Sequence, residues 1–469
     1  MKNIELTFWR NTGLGAAAAL LLTACAPGQD APAPIAGVDV SYYVAVGDSY
    51  TAGLSAGGLT RASQEYSYPN LLARQLRLVA PSVPFTQPLL EAGSGTGYLT
   101  LAGFAPGEVP LTRRVAGTAV RRQVINSAAC GGPDTVRLFT RSQSANALPQ
   151  NLGLPGLLLG QIETIGLGNE ASATPGAAFN PYFERLLPAA DSRTYLQAVT
   201  AAAAPATFFT FFAGLDDVMA YVRSGGKCGI ATSALTTRLR TNAAKLLAVL
   251  SKNGTRPGII AQLPELASLP ILRQGLALRA SLQATFRDTA GLYIEDPIFF
   301  GQSRPITGGD YVLATALPRL GRPTPVLVNG VTLTLPYGRD RRNPVRDADV
   351  LDETEEYNRI KQVVTDYNDA LEILAKTSNL PVINASVNKD GRTLKLNDAL
   401  FGPVANRIAV GGVVYTAEPL RGNFFSLDYY TLTPRGNALL ANAFIAALNR
   451  AYRVNIPAVD VNSLPTSAQ

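Results

Sequence analysis

The chain has 469 residues, of which 47% are hydrophobic and only 16% charged, against about 25% charged in ordinary globular proteins. That balance excludes a disordered chain, and a net charge of +7 spread thinly along the sequence gives no sign of a nucleic-acid module. There is no histidine, which removes the usual base of a serine hydrolase and the usual ligand of a zinc site.

The chain opens as a targeting segment. Lys2 and Arg10 flank the start, and a small-residue and leucine run follows from Gly13 to Leu22. The run is shorter than the roughly 20 apolar residues that a spanning helix needs. It ends in Leu22-Thr23-Ala24-Cys25, which resembles a bacterial lipobox. That resemblance implies a signal peptide over 1–24 and lipidation of Cys25, with the lipid bilayer as a partner and the cell envelope as destination. Ala26 then implies the outer membrane in a bacterium that has two membranes. The alternative is a plain secretory signal cleaved nearby. Residues 25–37, dominated by Ala, Pro and Gly, cannot build a core and are expected to be a tether. In an exported chain the remaining cysteines, Cys130 and Cys228, are candidates for a disulfide.

Length alone allows about three domains, but the order of elements argues for one, over 38–456, with insertions. Short apolar runs alternate with helical periods, the pattern of βα units and a mostly parallel sheet. Tyr43–Val46 is a predicted buried strand, Tyr68–Leu76 a helix, 194–203 an alanine-rich helix and Thr207–Phe212 a strongly apolar strand. Leu235, Leu239, Leu246, Leu247 and Leu250 recur at helical spacings, and Gly254 and Pro257 stop that helix. Gly258–Gln262 is the next strand. Residues 354–376 form the longest predicted helix, with Asp352 and Glu355 in a capping-box pattern at its start. Leu380–Asn384 is a further strand, and Thr433-Pro434 starts a helix running to about Tyr452.

Residues 80–150 and 275–350 are expected insertions, the second with a hairpin around Asn329-Gly330. Residues 410–415 give a weaker hairpin signal, and 457–469 are expected to be a tail. Arg339, Arg341, Arg342 and Arg346 alternate with Asp340, Asp347 and Asp349. This reads as a solvated loop with a weak attraction to anionic polymers.

Four segments carry candidate chemistry. Gly47-Asp48-Ser49-Tyr50 follows the first strand, the arrangement that hands a nucleophilic serine to the start of a helix. Next come Asn151-Leu-Gly-Leu-Pro-Gly156, Gly214-Leu-Asp216-Asp217 behind the phenylalanine-rich strand, and Ser426-Leu-Asp428-Tyr-Tyr-Thr431 ahead of the last helix. In this order they resemble the blocks of the SGNH (GDSL) hydrolase superfamily. Together with the proline-rich run Gln262–Pro270 they resemble its large bacterial lipoprotein type.

The resemblance implies a flavodoxin-like α/β fold, a three-layer α/β/α sandwich around a mostly parallel sheet. It puts Ser49 at the nucleophile position and Asp428 at the acid position. It builds the oxyanion hole from the Ser49 and Gly156 N–H groups and the side chain at 216. Two positions depart from the family pattern. Thr431 stands where the catalytic histidine belongs, and Asp216 stands where an asparagine belongs. An ionised carboxylate only accepts hydrogen bonds and repels an oxyanion; only a protonated one donates. Both departures act against ester hydrolysis.

Structural roles compete at each position. Ser49 is a candidate helix cap, Gly47 and Gly156 candidate geometric glycines, and Asp428 a candidate partner of Arg435. Asp216 and Asp217 are candidate solvated loop acids or, together with Asp428, ligands of a hard cation. The expected function is that of a catalytically impaired envelope lipoprotein that binds an acylated glycan, a lipid or an envelope protein. One alternative is a slow esterase or acyl transferase in which Ser49 uses Asp217, Asp216 or Asp428 as its base. Another is a purely structural envelope lipoprotein. No cofactor is expected.

Overall fold

Five short runs pair side by side into one parallel sheet. They are β1 (Tyr43–Gly47), β2 (Asn151–Gly153), β3 (Phe208–Phe212), β4 (Gly258–Ala261) and β5 (Val382–Ile383), in the spatial order 2-1-3-4-5. Every pairing is parallel, and Ala45 sits between Asn151 and Thr210. The computed structural model describes residues 37–125, 135–142, 147–174, 177–228, 232–296, 298–299, 301–383 and 407–468. Residues 34–469 make one compact unit. The expected signal, Cys25, most of the tether and Cys130 lie outside the described residues.

Around the sheet run α1 (Ser49–Ala52), α2 (Tyr68–Val79), α3 (Tyr195–Ala203), α4 (Leu215–Val222), α5 (Ser233–Leu250), α6 (Asn358–Thr377) and α7 (Pro434–Tyr452). β1, β3 and β4 are buried at every residue, so both sheet faces are covered, as continuous apolar runs without polar alternation require. α2 packs on α7, where Tyr68 stacks on Phe444 with ring centroids 4.7 Å apart, while α5 packs against both α3 and α6. The mixed α/β class with a mostly parallel sheet is the one the apolar pattern predicts. Thr433 caps α7 with Pro434 in its first turn, as expected.

Other expectations shift. Asp352 accepts the Thr354 and Glu355 N–H groups, but Glu356 rather than Glu355 reaches back to the Asp352 N–H. The turn Glu353–Tyr357 is π-wound, one residue wider than an α turn, which moves the reciprocal partner one position on. The expected insertion before β2 carries two antiparallel ribbons, Tyr98–Ala105 with Val109–Val115 and Val120–Ile125 with Thr135–Phe139. The later one carries Tyr293–Glu295 with Ser303–Pro305, and the expected hairpin Pro323–Val328 with Val331–Pro336. The weaker hairpin signal corresponds to Arg407–Val410 with Val413–Thr416.

The C-terminal segment belongs to the fold. Val461 and Ala468 are buried, and Arg435 donates to the Leu464 and Asn462 carbonyls. Arg435 is therefore engaged there and not on Asp428. Cys228 is disulfide-bonded. Among the described residues no helix is long and apolar enough to cross a membrane.

Candidate active site

The strand order reverses at β1. The chain moves outward to β2 and then returns to β3 on the opposite side. Loops at the carboxyl ends of such strands diverge at that point and leave a crevice. A cavity of about 810 Å³ opens here, lined by Ser49 behind β1, Gly156 behind β2, Asp216 behind β3 and Asp428 ahead of α7. The four segments singled out in the sequence therefore meet at one site. Both insertions help to wall it, through Leu99, Pro110 and Arg114 of the first and Leu313 and Pro318 of the second.

Crowding fixes the serine turn. A Cβ on Gly47 would lie 2.0 Å from Thr51 Oγ1 and 2.1 Å from the Phe212 carbonyl oxygen. The chain turns at Asp48, the N-cap residue of α1, so Ser49 is the first helical residue and not the cap. Its hydroxyl is left to donate to Asp216 Oδ2 at 2.6 Å. The same oxygen accepts the Ser49 N–H at 3.1 Å and the Gly156 N–H at 2.7 Å. Gly156 presents that N–H with φ +71°, in the left-handed region that side chains disfavour. Three donors thus converge on one carboxylate oxygen. In acyl transfer that point belongs to the developing oxyanion of the substrate.

Acidic groups crowd the floor. Asp48 Oδ2 accepts the Asp216 N–H at 3.1 Å, while Asp48 Oδ1 is buried with no hydrogen-bond partner among the described residues. Burial, followed by the charge of Asp216, pushes the Asp48 carboxyl well above the usual carboxylate range. Burial also raises Asp216, against the hydrogen bonds from Ser49 and Gly156 that favour its charged form. Asp217 faces other donors. Its Oδ2 accepts the Leu159 N–H at 2.9 Å, and burial pushes it up to about 7. Of the three expected carboxylate bases, only Asp216 hydrogen-bonds to Ser49.

Asp428 is enclosed by its own loop. Its Oδ1 accepts the Ser426 hydroxyl at 2.9 Å, the Thr431 N–H at 2.8 Å and the Tyr430 N–H at 3.2 Å. Its Oδ2 accepts the Gly57 N–H at 2.7 Å and the Thr431 hydroxyl at 2.5 Å. Thr431 is fully buried, lies 2.8 Å from the Ser426 hydroxyl, and does not line the cavity. A threonine is too short to bridge from that acid to Ser49. The alternative cation site does not assemble among the described residues either. The three aspartates are satisfied by separate donors, and among the described residues no group of three acid, cysteine or histidine side chains is placed to hold a metal ion.

Sequence reasoning missed Arg223. Asp216, Met219, Ala220 and Arg223 all line the cavity, and their spacing of three, one and three puts them on one helical face. Applied to α4, that spacing rule was the available signal. The Arg223 guanidinium lies 5.5 Å from the centre of the Tyr430 ring. Tyr430 itself is held by its backbone carbonyl, which accepts the Tyr50 hydroxyl.

No family model matches the chain, and no curated protein or solved structure is detectably similar to it.

Proposed function

We propose that this chain is an envelope lipoprotein of the SGNH (GDSL) hydrolase fold, anchored through lipidated Cys25, whose former hydrolase site binds a ligand without cleaving it. The ligand class is an acylated glycan, a lipid or an envelope protein. The 2-1-3-4-5 strand order and the meeting of Ser49, Gly156, Asp216 and Asp428 at one sheet edge support the fold assignment.

One observation carries the loss of chemistry. Asp216 Oδ2 takes the Ser49 N–H, the Ser49 hydroxyl and the Gly156 N–H together. The donors that would hold an oxyanion are spent on an internal carboxylate, and a negative charge there opposes a second one. No histidine exists to deprotonate Ser49. The cavity itself stays open at about 810 Å³, which favours ligand binding over a purely structural role.

A second reading rests on the same contact. At 2.6 Å, Asp216 is within reach to take the Ser49 proton, which would give slow hydrolysis with a carboxylate base. Two measurements separate the readings. With a short-chain chromogenic ester and a fluorophosphonate probe, we expect neither turnover nor labelling that depends on Ser49. Saturable turnover abolished by Ser49→Ala would establish the esterase reading and overturn the first. In parallel, a fluorescent acyl ester binds the parent chain, and Ala220→Trp, which fills the cavity from α4, abolishes that binding. Unchanged binding would place the ligand elsewhere.

A further inference from the structure

The two carboxylate oxygens of Asp216 have different surroundings. Oδ2 is enclosed by the Ser49 N–H, the Ser49 hydroxyl and the Gly156 N–H. Oδ1 accepts no hydrogen bond among the described residues, yet it is not closed off from solvent. It is therefore the oxygen that Asp216 turns to the cavity it lines. Three donors on Oδ2 favour the charged form, which is the nucleophilic form of a carboxylate. Below it, burial, followed by the charge of Asp216, keeps the proton on Asp48. The negative charge of the pair therefore rests on Asp216.

A carboxylate in this place changes what the donors can do. The carbonyl oxygen of a ligand cannot reach them, because Oδ2 is already there. An ester formed on Asp216 itself through Oδ1 would have its own carbonyl oxygen, Oδ2, in the cradle. Forming that ester needs an electrophilic carbon and no base, since an ionised carboxylate has no proton to lose. Hydrolysing it needs a base to activate water. No histidine exists to supply one, and Asp428, the other acid on the cavity wall, is engaged by five donors.

The walls narrow the choice of electrophile. Leu54, Leu158, Phe179 and Met219 line the cavity and suit a hydrocarbon chain. Arg223 lines it too and makes no ion pair among the described residues. Its guanidinium stabilises an oxyanion but gives up no proton. A leaving oxygen beside it departs as an alkoxide, which an unstrained ether does not release and a strained epoxide ring does.

We propose that Asp216 is a nucleophile and that the cavity captures epoxidised acyl chains covalently. Asp216 Oδ1 bonds to a ring carbon, and the ring C–O bond breaks with its electron pair going to oxygen. The alkoxide, stabilised by Arg223, then takes a proton from water. The product is a hydroxyalkyl ester of Asp216, and the ligand stays whole. Without a base the reaction stops there. The proposal rests on the ligand-binding reading for its cavity and adds a covalent bond which that reading does not contain.

The test treats the purified full chain with octene oxide and locates the product by intact-mass and peptide mass spectrometry. The expected product carries one probe per chain, on Asp216, and persists after free probe is removed. Asp216→Asn lowers labelling about tenfold or more in a variant that still unfolds cooperatively. Ser49→Ala leaves Asp216 labelled at least as fast, because the lost hydroxyl drew charge from the carboxylate. Ala220→Trp fills the cavity and blocks labelling. An adduct on Ser49 or Asp428, adducts spread over surface carboxylates, or no adduct on the parent chain would overturn the proposal. So would steady release of the diol, which requires a base. Binding of the fluorescent acyl ester is read separately, and its absence beside an adduct on Asp216 strikes the acyl-ester ligand while sustaining the capture.

Discussion

Asp216 and Asp428 line the same cavity and are satisfied in opposite ways. Asp428 takes five donors, four of them from residues 426–431 and one from Gly57. Asp216 takes its donors from Ser49 and Gly156, on two chain-distant turns. One carboxylate completes a loop and the other plugs a hole. A residue that serves its own loop persists when catalysis is gone, because the loop needs it to fold. A residue that ties distant turns together reports on the site itself. Under the proposed function, the contrast assigns the loss of chemistry to positions 216 and 431 and leaves 428 as scaffold.

The largest effect should come from reversing both departures. Thr431→His with Asp216→Asn is expected to raise hydrolysis of a short-chain ester by about 10²-fold or more over the parent chain. Thr431 already touches Asp428, so an imidazole there begins beside its orienting acid. A double variant that folds and stays inert would break the reading of residues 426–431 as a former base loop.

Stability should separate the two acids next. Asp428→Ala strands five donors in a packed loop and is expected to cost about 2–4 kcal/mol. Asp216→Ala bares N–H groups at the cavity edge, where water replaces the lost oxygen, and is expected to cost about 1 kcal/mol. Denaturant titration of both variants measures the difference, and equal costs would erase the contrast.

The smallest effect belongs to Asp217. Its folded value of about 7 lies above the ordinary 3.8, so between those values the folded chain holds a proton that the unfolded chain releases. Its contribution to stability is present at low pH and is lost as pH rises through about 7. Asp217→Asn keeps an acceptor for the Leu159 N–H and removes the titration. The unfolding temperature of the variant should fall less than that of the parent between pH 4 and 7, and parallel curves would remove Asp217 from the account.

Much of this was legible because the signals were local. Phe208–Phe212 is apolar at four positions of five, which fits a strand buried on both faces, and Thr433-Pro434 carries its own helix start. β2 was not legible: it has three residues, Asn-Leu-Gly, and takes its strand character from pairing with Ala45–Gly47. Ser49 at a helix start looks like a cap, and only the placement of Asp48 shows that the cap position is already filled. The occupant of the donor cluster was also hidden. Sequence reasoning saw that an ionised carboxylate at 216 could not donate, but the three donors aimed at its oxygen exist only once β1, β2 and β3 stand side by side.

The sheet order also bears on the birth of the chain. β1 lies inside the sheet, yet it is the first strand to be synthesised. The Tyr42 N–H finds its acceptor on Thr207, 165 residues later, and among the described residues the first strand-like partner of β1 begins at Gln150, whose carbonyl accepts the Ala45 N–H. Until β2 has emerged the segment Tyr43–Gly47 has no partner strand, and its other side stays open until Phe208–Phe212 follows. Contacts of such long range form slowly and leave sticky segments bare meanwhile. Roughly the first third of synthesis is therefore the interval in which this apolar strand is most open to wrong partners.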